Sequence, residues 1–189
     1  ENAAKAVAAY ERTLITPNSA YDRYVKGDKK AMTEQQARGM NTFADLGCVA
    51  CHSGAAFSGP AMAPGSGFFA KFPTFTDNDY VKQYDLTADE GRMAVTTNVA
   101  DKHMWKVPTL RNIEMTAPYF HNGRFGSLAE VVAFYNRGGV ANPLQDPRIK
   151  PLGLSGTEQE ALVAFLESLT GSNVGDLVAD ALAAPAEYP

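Results

Sequence analysis

Apolar positions recur at helical spacing in four stretches of the chain, and between them the period is lost. Val7, Tyr10 and Leu14 share one stripe, which predicts a first helix from Ala3 to Ile15, ended by Pro17. Three later stretches open with a hydroxyl residue followed three positions on by glutamate or glutamine. That pair caps a helix start reciprocally, satisfying two otherwise open N–H groups. Thr33 with Gln36 predicts a helix to about Leu46, with Ala37, Met40 and Phe43 at helical spacing. Ser127 with Glu130 predicts one to about Asn136, closed by Arg137-Gly138-Gly139. Thr157 with Glu160 predicts a third, carrying Leu162, Phe165, Leu166 and Leu169, with Gly171 as its terminating glycine.

From about Ser53 to Pro108 the pattern is broken by Gly54, Gly59, Pro60, Pro64, Gly65, Gly67 and Pro73. Thr87 with Glu90 predicts at most a single helical turn there. No strand pair and no internal repeat stands out. The tail after Ser172, rich in Ala and Pro, reads as extended chain. The class is therefore all-α with long loops. A loop of this length is unusual inside a compact domain, unless it wraps a large rigid ligand that supplies its missing core.

Composition narrows the function. Of 189 residues, 45% are hydrophobic and 20% charged, as in a soluble globular protein. The net charge of −4 argues against a nucleic-acid binder, which would carry a basic face. No apolar run approaches the roughly 18 residues of a membrane span. Residue 1 is Glu and no leader pattern follows, so the expectation is a mature, processed or excised chain.

The only two cysteines fall in one motif, Cys48-Val49-Ala50-Cys51-His52. A disulfide framework is excluded, because no other cysteine exists to build one. A Cys-x-x-Cys-His run is the attachment signature of c-type haem. Two thiols on one turn can each add to a vinyl group of one porphyrin, and the next residue lies under the iron as proximal ligand. A thioredoxin-type motif should follow a buried strand, whereas this one follows a capped helix. A structural zinc site needs a second ligand pair, and only His103 and His121 remain. The reading is one covalent haem, with Phe57, Phe68, Phe69, Phe72 and Phe75 available to pack around it. Simple core filling is the plainer role for each of these rings. Such haem is attached outside the cytoplasm, so a periplasmic location is expected.

The opposite axial position decides the chemistry. Candidates are Met62, Met93, Met104, Met115, His103, His121 and Tyr135, while Met32 and Met40 read as helix core. Leu128, Val131, Val132 and Tyr135 stand at i, i+3, i+4 and i+7, so the tyrosine ends an inward-facing stripe. A core tyrosine bonded to backbone would show the same pattern. Met115 and Met104 flank the segment Lys106–Arg111.

Five segments then form an ordered series: Glu11–Tyr24, the haem motif, Gly91–Thr96, Lys106–Ile113 and Ala117–Gly123. The series resembles the C-terminal haem domain of bacterial di-haem cytochrome c peroxidases and MauG-type enzymes, from about Ala3 to Gly171. The resemblance implies a cytochrome c-like helical domain with long loops wrapped around one covalent haem. Residues 1–30 would be a helix and linker from a preceding haem domain, 31–171 the haem domain, and 172–189 an extended tail. The family's other domain carries the haem that reacts with hydrogen peroxide, and this chain would be the electron-transferring half. His52 becomes the proximal ligand. MauG-type proteins have a tyrosine as distal ligand in a setting like Phe134-Tyr135-Asn136-Arg137-Gly138-Gly139, which makes Tyr135 the expected distal ligand and Met115 the runner-up. Thr116 and Pro118 match family positions whose carbonyls bind calcium between the domains. Arg111 and Lys106 are candidate haem-propionate contacts, with ordinary surface charge the plainer role. Trp105 reads as a core or haem-edge residue, and His121 as an interface or supporting one. Expected partners are the peroxidatic haem domain, missing or on a separate chain, a small redox donor or oxidisable protein substrate, and a second copy in a homodimer. The alternative is a free-standing monohaem cytochrome without peroxidase activity, whose distal ligand would more naturally be methionine.

Overall fold

A computed structural model describes residues 2–60, 66–72, 79–140 and 145–183. Met62 and Phe75 lie outside the described residues. Eight α-helices carry the described fold: α1 (Asn2–Glu11), α2 (Ala20–Val25), α3 (Glu34–Asp45), α4 (Asp79–Tyr84), α5 (Met93–Thr96), α6 (Leu128–Asn136), α7 (Gly156–Glu167) and α8 (Val174–Leu182).

The centre is the crossing of α3 and α7, with α6 packed beside α7. Gly39 of α3 makes that crossing possible, because a Cβ there would overlap the carbonyl of Ala161. Phe43, Leu162, Phe165, Leu166 and Leu169 form the buried seam, joined by Leu128, Val132 and Phe134 from α6. The Thr33–Gln36 and Ser127–Glu130 boxes form as the sequence predicts.

Elsewhere the structure differs. Helix α1 stops at Glu11, short of Ile15, because the Thr13 hydroxyl takes the carbonyl of Tyr10 at 2.7 Å and the chain tightens into a turn. The α7 box uses Ser155 and Glu158, two residues before Thr157 and Glu160, since Ser155 is the last extended residue before the helix. Helix α7 ends at a Ser168 cap, and Gly171 instead packs against Thr16, where a Cβ would overlap the Thr16 carbonyl. A further box, Ser19 with Asp22, starts α2. Its short aspartate stands where a glutamate is the usual signal.

The expected long loop contains α4, α5 and a two-stranded antiparallel sheet, β1 (Phe69–Lys71) with β2 (Met104–Lys106), in the register Ala70 opposite Trp105. Three-residue strands are too short to show alternation in sequence. Thr87 sits inside a 3₁₀ turn, Leu86–Ala88, rather than capping one. Of the tail expected to be extended, Val174–Leu182 is helical as α8, and residues 184–189 lie outside the described residues. Val174, Leu177, Val178, Ala181 and Leu182 stand at i, i+3, i+4, i+7 and i+8, a helical stripe that its Ala and Pro content masks. The result is a mostly helical fold with one small sheet.

Candidate functional site

The Cys48–His52 motif begins where α3 ends. Leu46 caps that helix, Gly47 turns left-handed at φ 78°, and Cys48–Ala50 forms one 3₁₀ turn. The amide of His52 donates to the carbonyl of Cys48 at 2.9 Å, so both cysteines and the histidine sit on one tight turn. Both thiols are free and half-buried. Burial pushes the Cys48 thiol up to about 11 and raises that of Cys51 as well. Neither has the depressed pKa of a redox-active Cys-x-x-Cys.

His52 is set for ligation. Its Nδ1 lies 2.9 Å from the carbonyl of Phe57. A carbonyl only accepts, so Nδ1 carries the proton and Nε2 keeps its lone pair. Burial lowers the imidazole pKa, with the Phe57 and Pro108 carbonyls working against that shift, so the ring is neutral near pH 7. Its supporting wall is aromatic: Phe43 stands 6.5 Å from the His52 ring, and Tyr21, Phe43, Phe57 and Phe165 meet edge-on or tilted at 5.2 to 6.3 Å.

Tyr135 comes from α6, one residue before its end. Burial drives its phenol pKa well above the ordinary value, and the two thiols Cys48 and Cys51 push it further. Phe72, Phe120 and Phe134 surround the phenol at 6.3, 6.1 and 5.4 Å between ring centres. The end of α6 is pinned twice. Asn136 exchanges hydrogen bonds with Leu154, and Gln145 donates to Gly138 and accepts from the amide of Val140. Gly138, at φ 81°, turns the chain against Pro151.

The remaining candidates fall as follows. Met115 is 60% exposed, Met93 lies on α5, and Met104 lies on β2. Arg111 is engaged by Asp22 and Ser19 and donates its Nε to the carbonyl of Ala55. The Lys106 ammonium donates to the carbonyl of Val107 at 3.4 Å. Thr116 and Pro118 lie on an exposed turn. The Trp105 indole donates to the Phe72 carbonyl at 3.3 Å and stacks on His121 at 4.0 Å, nearly parallel. Burial lowers His121 to about 4, opposed by Asp89 and assisted by His103. Of the loop rings, Phe57 joins the His52 side and Phe72 the Tyr135 side. Phe69 lies under the Arg92 guanidinium at 4.0 Å, and Phe68 faces Arg148 at 5.8 Å.

Sequence reasoning missed Arg148 and Asp146. They form a fork at 2.8 and 2.7 Å, and their charges reach Cys51. No motif signals this pair, which is brought to Cys51 from nearly a hundred positions away. Among the described residues no group of three His, Cys, Asp or Glu side chains is arranged for a metal ion. Two thiols and an imidazole on one tight turn are the donors that a covalent c-type haem uses. The residues present fit that group.

The family model described as di-haem cytochrome c peroxidase matches residues 1–30. Cytochrome c551 peroxidase of Pseudomonas aeruginosa is 37% identical over 175 residues, covering 90% of this chain and 44% of that protein. Methylamine utilization protein MauG of Methylorubrum extorquens is 33% identical, covering 87% of this chain and 42% of its own length. A solved MauG-like protein associated with microbial copper homeostasis superposes with a TM-score of 0.71 at 26% identity, over 89% of this chain and 56% of that one. The chain thus spans about half the length of the curated relatives it matches. Over that span, it belongs to the family of bacterial di-haem cytochrome c peroxidases and MauG.

Proposed function

We propose that this chain is the electron-transferring haem c part of a di-haem peroxidase of the MauG-like branch. The observation that carries the reading is the pairing of His52, its Nδ1 held by the Phe57 carbonyl, with Tyr135, a partly buried phenol set among Phe72, Phe120 and Phe134. Cys48 and Cys51 would hold the porphyrin by adding their thiols to its vinyl groups, and His52 and Tyr135 are the residues that would hold its iron. When bound, the haem supplies one-electron chemistry at its iron.

The chain's own residues tune that chemistry. Tyr135 would hold the iron as a phenolate, its proton passing to solvent, against a burial that raises its pKa further above the ordinary value. An anionic oxygen ligand favours the ferric state and disfavours reduction by a high-potential donor. That points toward oxidation of a protein or small-molecule partner. The reaction with hydrogen peroxide belongs to a second haem domain outside these residues. Residues 1–30 link to that domain, and the carbonyls of Thr116 and Pro118 offer calcium ligands at the junction. The compartment is the periplasm, and no described helix is long and apolar enough to cross a membrane.

A pyridine haemochrome assay on the purified protein is expected to give one covalent haem per chain. Tyr135→Phe is then expected to change the ferric spectrum, while Met115→Leu leaves it unchanged. A methionine-to-iron charge-transfer band in the unmutated protein would overturn the ligand assignment. A complete gene product with a single Cys-x-x-Cys-His would instead favour the free-standing monohaem carrier.

A further inference from the structure

The turn after the motif presents three successive carbonyls, and each is taken by a side chain. Arg111 Nε donates to Ala55 at 2.9 Å, Thr109 Oγ1 to Ala56 at 2.6 Å, and His52 Nδ1 to Phe57 at 2.9 Å. Phe57 closes the turn through its amide to Gly54 at 3.0 Å, and it does so at φ 51°, a left-handed conformation unusual for a bulky residue. Such a conformation persists only where its surroundings over-determine it. Here the surroundings are the three side-chain donors and the Arg111 guanidinium 5.3 Å over the Phe57 ring.

Arg111 is itself held from α2. Its two terminal nitrogens form a fork with Asp22 at 3.0 and 2.8 Å, and one also reaches Ser19 Oγ at 3.2 Å. Asp22 is fixed in turn by the amide and hydroxyl of Ser19. Both charged side chains are mostly buried, at 19% and 16% exposure. Burial would raise the Asp22 carboxyl, but the hydrogen bonds from Arg111 and Ser19, with the Arg111 charge, hold it below the usual range. One guanidinium thus spends its fork on α2 and its Nε on the turn that orients His52.

We propose that Asp22 and Arg111 are positioning residues for the proximal imidazole. They couple α2, which lies within the stretch matching the family model, to the potential of the iron. The inference rests on His52 being the proximal ligand. The Nδ1–H bond to Phe57 raises the basicity of Nε2 and favours ferric iron. Arg111 keeps the Ala55–Phe57 turn where that bond is good. Displacing α2, or breaking the fork, lets the turn relax, weakens the bond and raises the potential.

The test is a potentiometric titration of the haem-loaded protein, with amide exchange of Phe57 followed in parallel. Arg111→Lys keeps the positive charge but lacks the planar fork that serves Asp22 and Ala55 together. The expected result is about a tenfold higher reduced-to-oxidised ratio at fixed potential, which is about 59 mV for one electron. Exchange of the Phe57 amide should quicken. Asp22→Asn should act in the same direction. Thr109→Val leaves the ion pair intact and should give a smaller shift of the same sign, which keeps the idea testable if Arg111→Lys fails to fold. A shift in Asp22→Asn with none in Arg111→Lys would mean that charge alone acts through space, and would overturn the proposal. So would unchanged potentials in all three. If no haem is attached, the assignment of His52 fails instead, and Phe57 exchange in the haem-free chain still reports whether Arg111 holds the turn.

Discussion

The His52 side and the Tyr135 side of the site are built in opposite ways. On the His52 side, residues 48–57 form one continuous turn whose polar groups are matched one by one: Ala55 to Arg111, Ala56 to Thr109, Phe57 to His52. On the Tyr135 side, the ring is placed by packing. Phe72 comes from beyond β1, Phe120 from the loop before α6, and Phe134 from α6 itself. Directional bonds on that side act on the end of the helix, through Asn136 and Gln145, rather than on the ring. The contrast suits the two roles proposed above for His52 and Tyr135. A proximal ligand needs a set tautomer and a tuned basicity, which hydrogen bonds supply. A distal ligand that exchanges a proton for an iron bond needs a dry, shaped surround, which aromatic packing supplies.

The largest effects should come from the two ring clusters. Phe165→Ala empties the centre behind His52, and Phe134→Ala the centre behind Tyr135. Both are fully buried, so each should lose about 3–5 kcal/mol in denaturant unfolding. A loss under about 1 kcal/mol in Phe134→Ala would show that the Tyr135 side is not a packed wall. Intermediate effects should separate the hydrogen bonds. Asn136→Ala removes both of its bonds to Leu154 and should cost about 2 kcal/mol. Thr109→Val removes two bonds, its own to Ala56 and the one from the Arg111 amide, but on an exposed loop, and should cost about 1 kcal/mol. Equal losses would erase the distinction between a pinned helix end and an exposed loop contact.

The smallest effect should be a difference in pH response. His121, beside the Tyr135 cluster, has its pKa lowered from 6.5 to about 4. The unfolded chain therefore binds more protons in that window, and stability should fall as pH drops from about 6.5 toward 4. His121→Gln should flatten that part of the melting-temperature profile. Asp22, on the His52 side, is held below its ordinary value of 3.8. Its contribution is fully present above that value and is lost as pH falls through the folded pKa. Asp22→Asn should therefore lower stability by a constant amount above about pH 4 and flatten the profile only at its acid end.

Several elements could be read in advance, and the misses have physical reasons. The boxes at Thr33 and Ser127 are local, so their helices were legible. The start of α7 slipped because Ser155-x-x-Glu158 and Thr157-x-x-Glu160 both satisfy the same pattern, and only the backbone of Ser155 decides between them. The sheet escaped because Phe69–Lys71 and Met104–Lys106 are each too short to show a period. Helix α8 escaped because its composition suggested a tail while its spacing was helical. In the site, the cysteines, His52 and the inward stripe ending at Tyr135 were all visible. Arg111 was legible as a candidate haem-propionate contact, and its fork with Asp22 was not.

What the sequence determined by itself is therefore local chemistry. Cys48, Cys51 and His52 lie on one turn, where spacing along the chain is also spacing in the molecule, and the periodicity of α6 turns Tyr135 inward for the same reason. The tertiary structure alone decided what faces that turn. It brought Asp22 across 89 positions to Arg111, and Arg111 across 56 to Ala55. It also brought Asp146 and Arg148 to Cys51. Charge pairs and carbonyl contacts carry no period and no fixed spacing, so only the closing of the chain onto the α3–α7 core could select them.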